Sequence, residues 1–246
     1  MKKSLLIIAS AMMLFVTPLM AVASAGSSEP LHWANVDLND KASLQRGAGL
    51  FANYCQGCHS IKFMRLNRVA KDLGIPEHLA KKHLMRGTDK IGDPITNTMP
   101  ADKAADWFGV APPDLSLTSR VRGDDWIYSY LIGFYQDGGT PTGWNNKYFP
   151  NVAMPNVLAG LQGVQQMKSV DGHDADGNHK LELTSAGSMD EDEFSQAAHD
   201  ITNYLSYVGE PAKMVRAKYG TYTLIFLALF FMLAYFLKKE FWRDVH

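Results

Sequence analysis

Cysteine and histidine side chains that could bind a cofactor occur together near residue 55. Cys55, Cys58 and His59 form the sequence Cys-Gln-Gly-Cys-His, a C-x-x-C-H pattern that is the signature of c-type haem attachment. Two thiols three positions apart can form thioethers with the two vinyl groups of one haem, and the histidine that follows can give the iron its proximal nitrogen. A thioredoxin-like redox pair is the alternative, but it needs a strand–helix setting, and this pair follows a predicted helix. The sequence therefore predicts one covalently bound haem c.

A second iron ligand is expected because low-spin electron carriers usually add a methionine, whose thioether raises the reduction potential. Met154 and Met99 each precede a proline in a predicted loop. Met154 lies shortly before the last soluble helix, where small cytochromes c place their ligand, so we predict Met154 as the ligand and Met99 as the second candidate. Histidines are further alternatives, although each is more typical of a core or surface position: His32, His78, His83, His173, His179 and His199.

Helices must position these residues, and four are predicted between the two ends of the chain. Apolar spacing and helix start and stop signals place them at residues 42–54, 75–85, 124–134 and 188–208. Asp40 is the expected N-cap of the first helix. Ser188 is the expected N-cap of the last, with Glu191 completing a capping box.

Loops and a small hairpin are predicted between these helices. Residues 89–102 are turn-rich, and residues 143–160 contain many Asn, Gly and Pro. Residues 164–170 and 179–183 are predicted to be two short strands around the turn at 171–178. That turn resembles a calcium-binding loop superficially, but an EF-hand register would put Gly172 and Leu183 at its first and last ligand positions, so we interpret it as an exposed turn.

The two ends of the chain predict export and membrane anchoring. Residues 1–25 have a basic start, an apolar middle and an Ala-Ser-Ala end, as in a cleaved signal peptide, with a retained anchor as the alternative. Residues 219–237 are uncharged, and we predict a transmembrane helix at 214–238. The predicted domains are therefore the signal peptide, a periplasmic haem domain at 26–213, this anchor, and a cytoplasmic tail at 239–246 whose basic residues agree with the positive-inside rule.

Composition and charge exclude several classes of protein. The 246 residues contain only two cysteines, so neither a disulfide scaffold nor a four-cysteine iron–sulfur site is available. Lys plus Arg is 24 and Asp plus Glu is 25, for a net charge of −1, which argues against a nucleic-acid-binding protein. Removal of residues 1–25 leaves 22 basic and 25 acidic residues, so the exported body is mildly acidic.

Longer segments resemble the cytochrome c1 family, the haem subunit of the cytochrome bc1 complex. Residues 46–59 are similar to its first haem helix, and residues 111–116, Ala-Pro-Pro-Asp-Leu-Ser, to its P-P-D-L-S segment. Residues 151–155 resemble its axial-methionine loop, and residues 200–211 the helix that leads to its single anchor. The predicted fold is mostly α: a class I cytochrome c-like haem domain with long loop insertions and a small β hairpin, plus one C-terminal transmembrane helix.

The resemblance also implies roles for individual residues around the haem. Cys55 and Cys58 would hold it, and His59 and Met154 would bind its iron. Arg122, with Arg120 as a second candidate, would pair with a haem propionate, since an arginine fork suits a carboxylate; a solvated helix face is the alternative. The resemblance further implies that Pro112 and Pro113 form a rigid wall against the ring, although they could instead form a plain turn before a helix capped by Asp114.

The function implied is electron transfer, with no catalytic residue on the chain itself. The haem would take an electron from a Rieske iron–sulfur protein and pass it to a cytochrome c, with cytochrome b as a further partner, in a dimeric quinol–cytochrome c reductase of the bacterial inner membrane. Two alternatives remain: a free membrane-tethered cytochrome c that serves an oxidase, and a haem enzyme or sensor with an open iron site. The acidic run at 190–193 could bind a basic cytochrome, but we favour a role at a helix start.

Overall fold

The computed structural model of the chain describes residues 29–168 and 180–245. The predicted signal peptide at 1–25 and the predicted turn at 171–178 lie outside the described residues, as do His173 and His179.

The described residues form mostly helices, joined by loops and short two-stranded ladders. The helices are α1 (Lys41–Leu50), α2 (Leu66–Leu73), α3 (Glu77–His83), α4 (Ala101–Phe108), α5 (Thr118–Arg122), α6 (Asp124–Ile132), α7 (Ala159–Gln162), α8 (Glu191–Gly209) and α9 (Lys213–Phe241). The strands are β1 (Ile61–Arg65), β2 (Pro94–Ile95), β3 (Phe134–Gln136), β4 (Trp144–Asn146), β5 (Gly163–Met167) and β6 (Leu181–Ala186). A π-helical turn at Phe51–Cys55 and a 3₁₀ turn at Arg243–Val245 complete the elements.

The strands pair antiparallel as β1–β2, β3–β4 and β5–β6. The predicted hairpin is confirmed as β5–β6. The predicted helix at 124–134 ends early, at Ile132, because Phe134 pairs with Asn146 in the β3–β4 ladder. The mostly α fold with small hairpins and one long apolar C-terminal helix is confirmed.

Helices α1 and α8 cross at close range and form the centre of the core. Asp40 is the N-cap of α1, as predicted, and its carboxylate accepts a hydrogen bond from the Ser43 amide at 3.0 Å. A Cβ placed on Gly47 would lie 2.0 Å from the main-chain oxygen of Asp200, so a glycine is required where the two helices meet. From α1, Arg46 donates two hydrogen bonds to the buried Asp200 carboxylate, at 2.6 and 2.9 Å.

The start of α8 lies two residues later than predicted. The N-cap is Asp190, not Ser188, and the capping box is completed by Glu193, not Glu191. The main-chain amide of Ser188 donates to Gly160, and that of Met189 to Leu161, so this stretch is bonded to α7 before the helix can begin.

Helix α9 has the length and composition of a membrane-spanning segment. Its candidate span is Tyr219–Phe241, 23 residues, and the most apolar 18-residue window has a mean hydropathy of 2.0. At about 1.5 Å per residue a helix of this size is about 35 Å long, enough to cross a bilayer. None of its most apolar window is buried against the other residues that the structure describes, so among these residues the apolar surface is available to lipid.

Candidate functional site

Cys55, Cys58 and His59 lie in a tight turn that continues the first helix. The π-helical turn Phe51–Cys55 follows α1 directly, and the main-chain amides of Cys58 and His59 both donate to the Cys55 carbonyl, at 3.1 and 2.8 Å. The two cysteines are free thiols rather than a disulfide. The sequence prediction that this motif follows a helix, and not a strand, is confirmed.

Burial makes both thiols poor redox groups on their own. It raises the pKa of the Cys55 thiol to about 12 and also raises the pKa of Cys58 above its ordinary value. Thioredoxin-like pairs need the opposite, a lowered cysteine pKa that gives a reactive thiolate. The raised pKa values therefore argue against a thioredoxin-like thiol–disulfide pair.

His59 is buried and oriented by a main-chain carbonyl. Its Nδ1 lies 2.8 Å from the Pro113 oxygen, and only 8% of the residue is exposed. Burial lowers the pKa of the imidazole, while the Pro113 carbonyl acts in the opposite direction. A neutral ring that donates from Nδ1 keeps a lone pair on Nε2, which is the form of histidine that ligates a metal.

The Pro-Pro-Asp-Leu segment, residues 112–115, hydrogen-bonds to residues next to this turn and is called the proline strap. The amide of Leu115 donates to the Ser60 carbonyl at 2.8 Å, and the Asp114 carboxylate accepts from the amides of Lys62 and Ser116. Asp114 is therefore not the cap of α5, which begins at Thr118, and that alternative is wrong. Pro112 is half-buried and Pro113 is exposed, and the carbonyl of Pro113 holds His59.

A second strap comes from the segment after β2, which the sequence did not single out. The Asn97 side chain donates to the Cys58 carbonyl, and the Asn97 amide donates to the Ser60 hydroxyl at 2.9 Å. Gln56 donates to the Thr96 carbonyl at 3.3 Å. Met99, the second candidate ligand, lies two residues after Asn97. It is therefore part of the chain segment that hydrogen-bonds to the turn of Cys55, Cys58 and His59, the His59 turn.

Met154 lies against a group of aromatic side chains on and after α6, the Met154 cluster. The Tyr130 hydroxyl donates a hydrogen bond to the Met154 sulfur at 3.4 Å. The Tyr130 ring stacks on Trp126, with centroids 4.9 Å apart, and meets Phe134 edge-on at 5.0 Å. Burial raises the pKa of the Tyr130 phenol well above its usual range, so the hydroxyl stays protonated.

The two candidate arginines have different surroundings. Arg122 lies over the Trp126 ring at 5.1 Å and over Phe149 at 5.8 Å, which joins it to the Met154 cluster. Arg120 is exposed, and its stem lies beside Gly209 at the end of α8. Within residues 29–168 and 180–245, neither arginine forms an ion pair, so both guanidinium groups are available to an anion.

The predicted site residues thus form two groups. Cys55, Cys58, His59 and the proline strap make up one, and Arg122, the α6 aromatics and Met154 make up the other. The described part of the chain contains no group of three or more His, Cys, Asp or Glu side chains placed to hold a metal ion. One histidine nitrogen, one thioether and two thiols are instead the donor set that a covalent haem needs.

Comparison with known proteins agrees with this donor set. The model of the Cytochrome C1 family matches residues 32–181 and 185–245. Cytochrome c1 of Allochromatium vinosum is 48% identical over 244 residues, which cover 98% of this chain and 99% of the relative. A protein of Nitrosomonas europaea, named ammonia monooxygenase gamma subunit, is 44% identical over 91% of the chain and 92% of its own length. Mitochondrial cytochrome c1 of Saccharomyces cerevisiae is 26% identical over 94% of the chain and 79% of its own length. Because the family model and a relative of nearly half-identical sequence both cover almost the whole length, the chain belongs to the cytochrome c1 family.

Proposed function

We propose that this chain is the electron-carrying haem subunit of a quinol:cytochrome c oxidoreductase. It would take electrons from a Rieske iron–sulfur protein and pass them to a cytochrome c. The observation that carries the proposal is the Cys55–His59 turn, with the Nδ1 of a neutral His59 bonded to Pro113, in a chain of this family. Cytochrome c1 is a subunit of the bc1 complex, which implies cytochrome b and a Rieske protein as partners.

Members of the cytochrome c1 family carry a covalently bound haem c, and this chain has the two cysteines that attachment requires. When bound, the haem supplies a one-electron redox couple. We assign its attachment to Cys55 and Cys58 and its proximal ligation to His59. The Pro113 carbonyl, 2.8 Å from Nδ1, would hold the imidazole in the tautomer that leaves Nε2 free for the iron.

Met154 is the proposed second ligand, rather than Met99. Met99 lies two residues after Asn97, whose amide and side chain bond to Ser60 and Cys58 next to His59. Met154 lies in a loop from another part of the chain, and its sulfur accepts a hydrogen bond from Tyr130 of α6. A methionine from a segment other than the one that holds the His59 turn would be free to approach the iron from another side, which supports Met154.

Arg122 is the proposed partner of a haem propionate, with Arg120 as the second candidate. Arg122 is held in place by Trp126 and Phe149 and has no carboxylate partner among the residues described. A planar guanidinium that is positioned but unpaired is suited to bind a carboxylate through two parallel hydrogen bonds. Pro112 and Pro113 stay proposed as the wall beside the ring.

The protein is membrane-anchored, and we propose that its haem domain lies in the periplasm of a bacterium. Export by a cleaved leader at residues 1–25 would put the haem domain in the periplasm and the C-terminal end of the span Tyr219–Phe241 in the cytoplasm. Lys238, Lys239 and Arg243 at that end agree with the positive-inside rule, but Lys213, Arg216 and Lys218 precede the span in equal number, so the leader carries the proposed orientation.

Purification in mild detergent tests this function. We expect cytochrome b and a Rieske protein to copurify with the chain, and a reduced c-type α band that carbon monoxide does not change. Recovery of the chain without those two proteins would favour a tethered cytochrome c that serves an oxidase. Ready binding of carbon monoxide would favour a haem enzyme or sensor with an open iron site.

One relative supports a second candidate function. The Nitrosomonas europaea protein named ammonia monooxygenase gamma subunit is 44% identical to this chain, so the chain could be a subunit of a monooxygenase. The same purification distinguishes the two, because monooxygenase subunits would then replace cytochrome b and the Rieske protein among the copurified chains.

A further inference from the structure

The Tyr130 hydroxyl forms one hydrogen bond among the residues that the structure describes, and its acceptor is Met154, the proposed iron ligand. It donates to the Met154 sulfur at 3.4 Å. Among the residues that the structure describes, no other group hydrogen-bonds to this hydroxyl. A thioether sulfur is a weak hydrogen-bond acceptor. A half-buried tyrosine hydroxyl that donates only to such a sulfur is therefore unusual, and a functional reason is worth seeking.

Neighbouring rings fix the direction of the Tyr130 hydroxyl. Trp126 stacks on the Tyr130 ring with an interplanar angle of 16°, Phe134 meets it at 74°, and Phe149 at 68°. The main-chain carbonyl of Tyr130 also accepts from Asn146 at 2.8 Å, which ties this end of α6 to β4. Contacts on several sides of the ring therefore fix the direction of the Tyr130 hydroxyl.

We infer that Tyr130 is a positioning residue that tunes the bond between Met154 and the haem iron. This inference rests on the proposed function, in which Met154 is the second ligand. A sulfur that accepts a hydrogen bond has less electron density to give to iron. Weaker donation from sulfur would destabilise the oxidised iron more than the reduced iron. The hydrogen bond should therefore raise the reduction potential.

Tyr128 provides a matched control on the same helix. Its hydroxyl lies 2.6 Å from the Ser195 hydroxyl of α8, not at the Met154 loop. Tyr130→Phe and Tyr128→Phe each remove one hydroxyl and keep the ring, so both variants should fold and incorporate haem. The difference between them isolates the bond to sulfur.

The test measures reduction potential and imidazole binding in the purified complex. We expect Tyr130→Phe to lower the potential and to weaken imidazole competition for the ferric iron, since a stronger sulfur donor is harder to displace. Tyr128→Phe should leave both values at those of the wild type. A hydroxyl that merely holds the loop would give the opposite imidazole result, because a loosened Met154 is displaced more easily.

Two results would overturn the inference: equal potentials in the two variants, or tighter imidazole binding in Tyr130→Phe. The ferric wild-type spectrum separates this failure from that of the proposed site. A red charge-transfer band typical of thioether ligation, present in the wild type and lost in Met154→Leu, shows that the sulfur is bound whether or not Tyr130 tunes it. Absence of the band in the wild type would reject the ligand assignment and the inference with it.

Discussion

The His59 ring is oriented by a main-chain carbonyl and not by an ionisable side chain. The Pro113 carbonyl accepts from Nδ1 at 2.8 Å and cannot itself titrate. Burial lowers the imidazole pKa and so favours the neutral ring, although the Pro113 carbonyl and the Asp114 charge act in the opposite direction. Because the group that accepts from Nδ1 is a carbonyl, the tautomer that leaves Nε2 free for the proposed iron bond does not depend on the ionisation of that acceptor.

Replacement of the proposed thioether ligand is the most direct test at the scale of single residues. We expect Met154→Leu to lower the reduction potential and to admit carbon monoxide to the reduced iron, because leucine fills similar space without a donor atom. Met99→Leu is the matched control, since Met99 also precedes a proline, and it should change neither property. A shift in Met99→Leu with none in Met154→Leu would reverse the assignment.

The Arg46–Asp200 ion pair gives a stability prediction with a defined pH dependence. Burial acts to raise the pKa of Asp200, but hydrogen bonds, notably from Arg46, outweigh it and hold the pKa below its usual value. We expect Arg46→Gln to lower the free energy of unfolding by about 1–2 kcal/mol at neutral pH, less than for a fully buried pair, because Arg46 is about half exposed.

The sign of the pH effect follows from that lowered pKa. The stabilisation is fully present above the unfolded pKa, near 4, and is lost as the pH falls through the folded pKa. The difference between wild type and Arg46→Gln in denaturant unfolding should therefore shrink in acid. Lys103→Gln, which breaks an exposed pair with Asp106, should be near neutral. A difference that stays constant down to strong acid would show that the carboxylate is not involved.

At the scale of elements, the sequence predicts helix positions and caps well where the deciding residues are close together in the chain. The first helix and its Asp40 cap were predicted because apolar spacing and a capping side chain lie within a few residues of each other. The start of α8 was misplaced because Ser188–Glu191 and Asp190–Glu193 both satisfy the capping pattern. The choice between them depends on bonds from residues 188 and 189 to α7, which the sequence does not show.

The remaining gaps in the predicted fold and site have two causes, an unused local signal and non-local contacts. Helix α2 has a local signal that the sequence prediction does not use, because Leu66, Val69 and Leu73 lie at helical spacing and Gly74 ends the helix with a φ of 71°. The motif cysteines, His59 and Met154 are predicted from residue type and spacing, and Arg122 from the resemblance to the cytochrome c1 family. The Pro113 carbonyl and the Asn97 strap could not be predicted, because each depends on a contact between segments more than 35 residues apart.

The crossing of α1 and α8 predicts unequal effects for two neighbouring glycines. Gly47→Ala would put a methyl group 2.0 Å from the Asp200 oxygen and force the helices apart, at a cost of about 3 kcal/mol. Gly49→Ala meets nothing within 4 Å and should stabilise α1 by about 0.5–1 kcal/mol through helix propensity. Thermal unfolding of the two variants measures the difference, and equal effects would show that the crossing is looser than the structure has it.

The whole molecule divides into a body that buries its own core and a helix that does not. Residues of α8 from Phe194 to Gly209 are mostly buried, whereas the other residues that the structure describes do not cover the most apolar window of α9. An apolar helix of this length without protein cover requires lipid or a partner helix. The residues of the proposed haem site all belong to the body, so anchoring and electron transfer should be separable.

A truncated chain tests this separation. Termination after Arg216 keeps Met214 packed against the core and keeps the ion pair between Arg216 and Glu210, while it removes the span Tyr219–Phe241. We expect the truncated protein to be exported, to retain the c-type α band and reduction potential of the full chain, and to leave the membrane fraction. Measured beside the full-length protein, membrane retention of the truncated form after a high-salt wash would show that the body itself binds lipid or a membrane partner. Loss of haem would instead mean that α9 supports the fold of the body, contrary to its lack of burial.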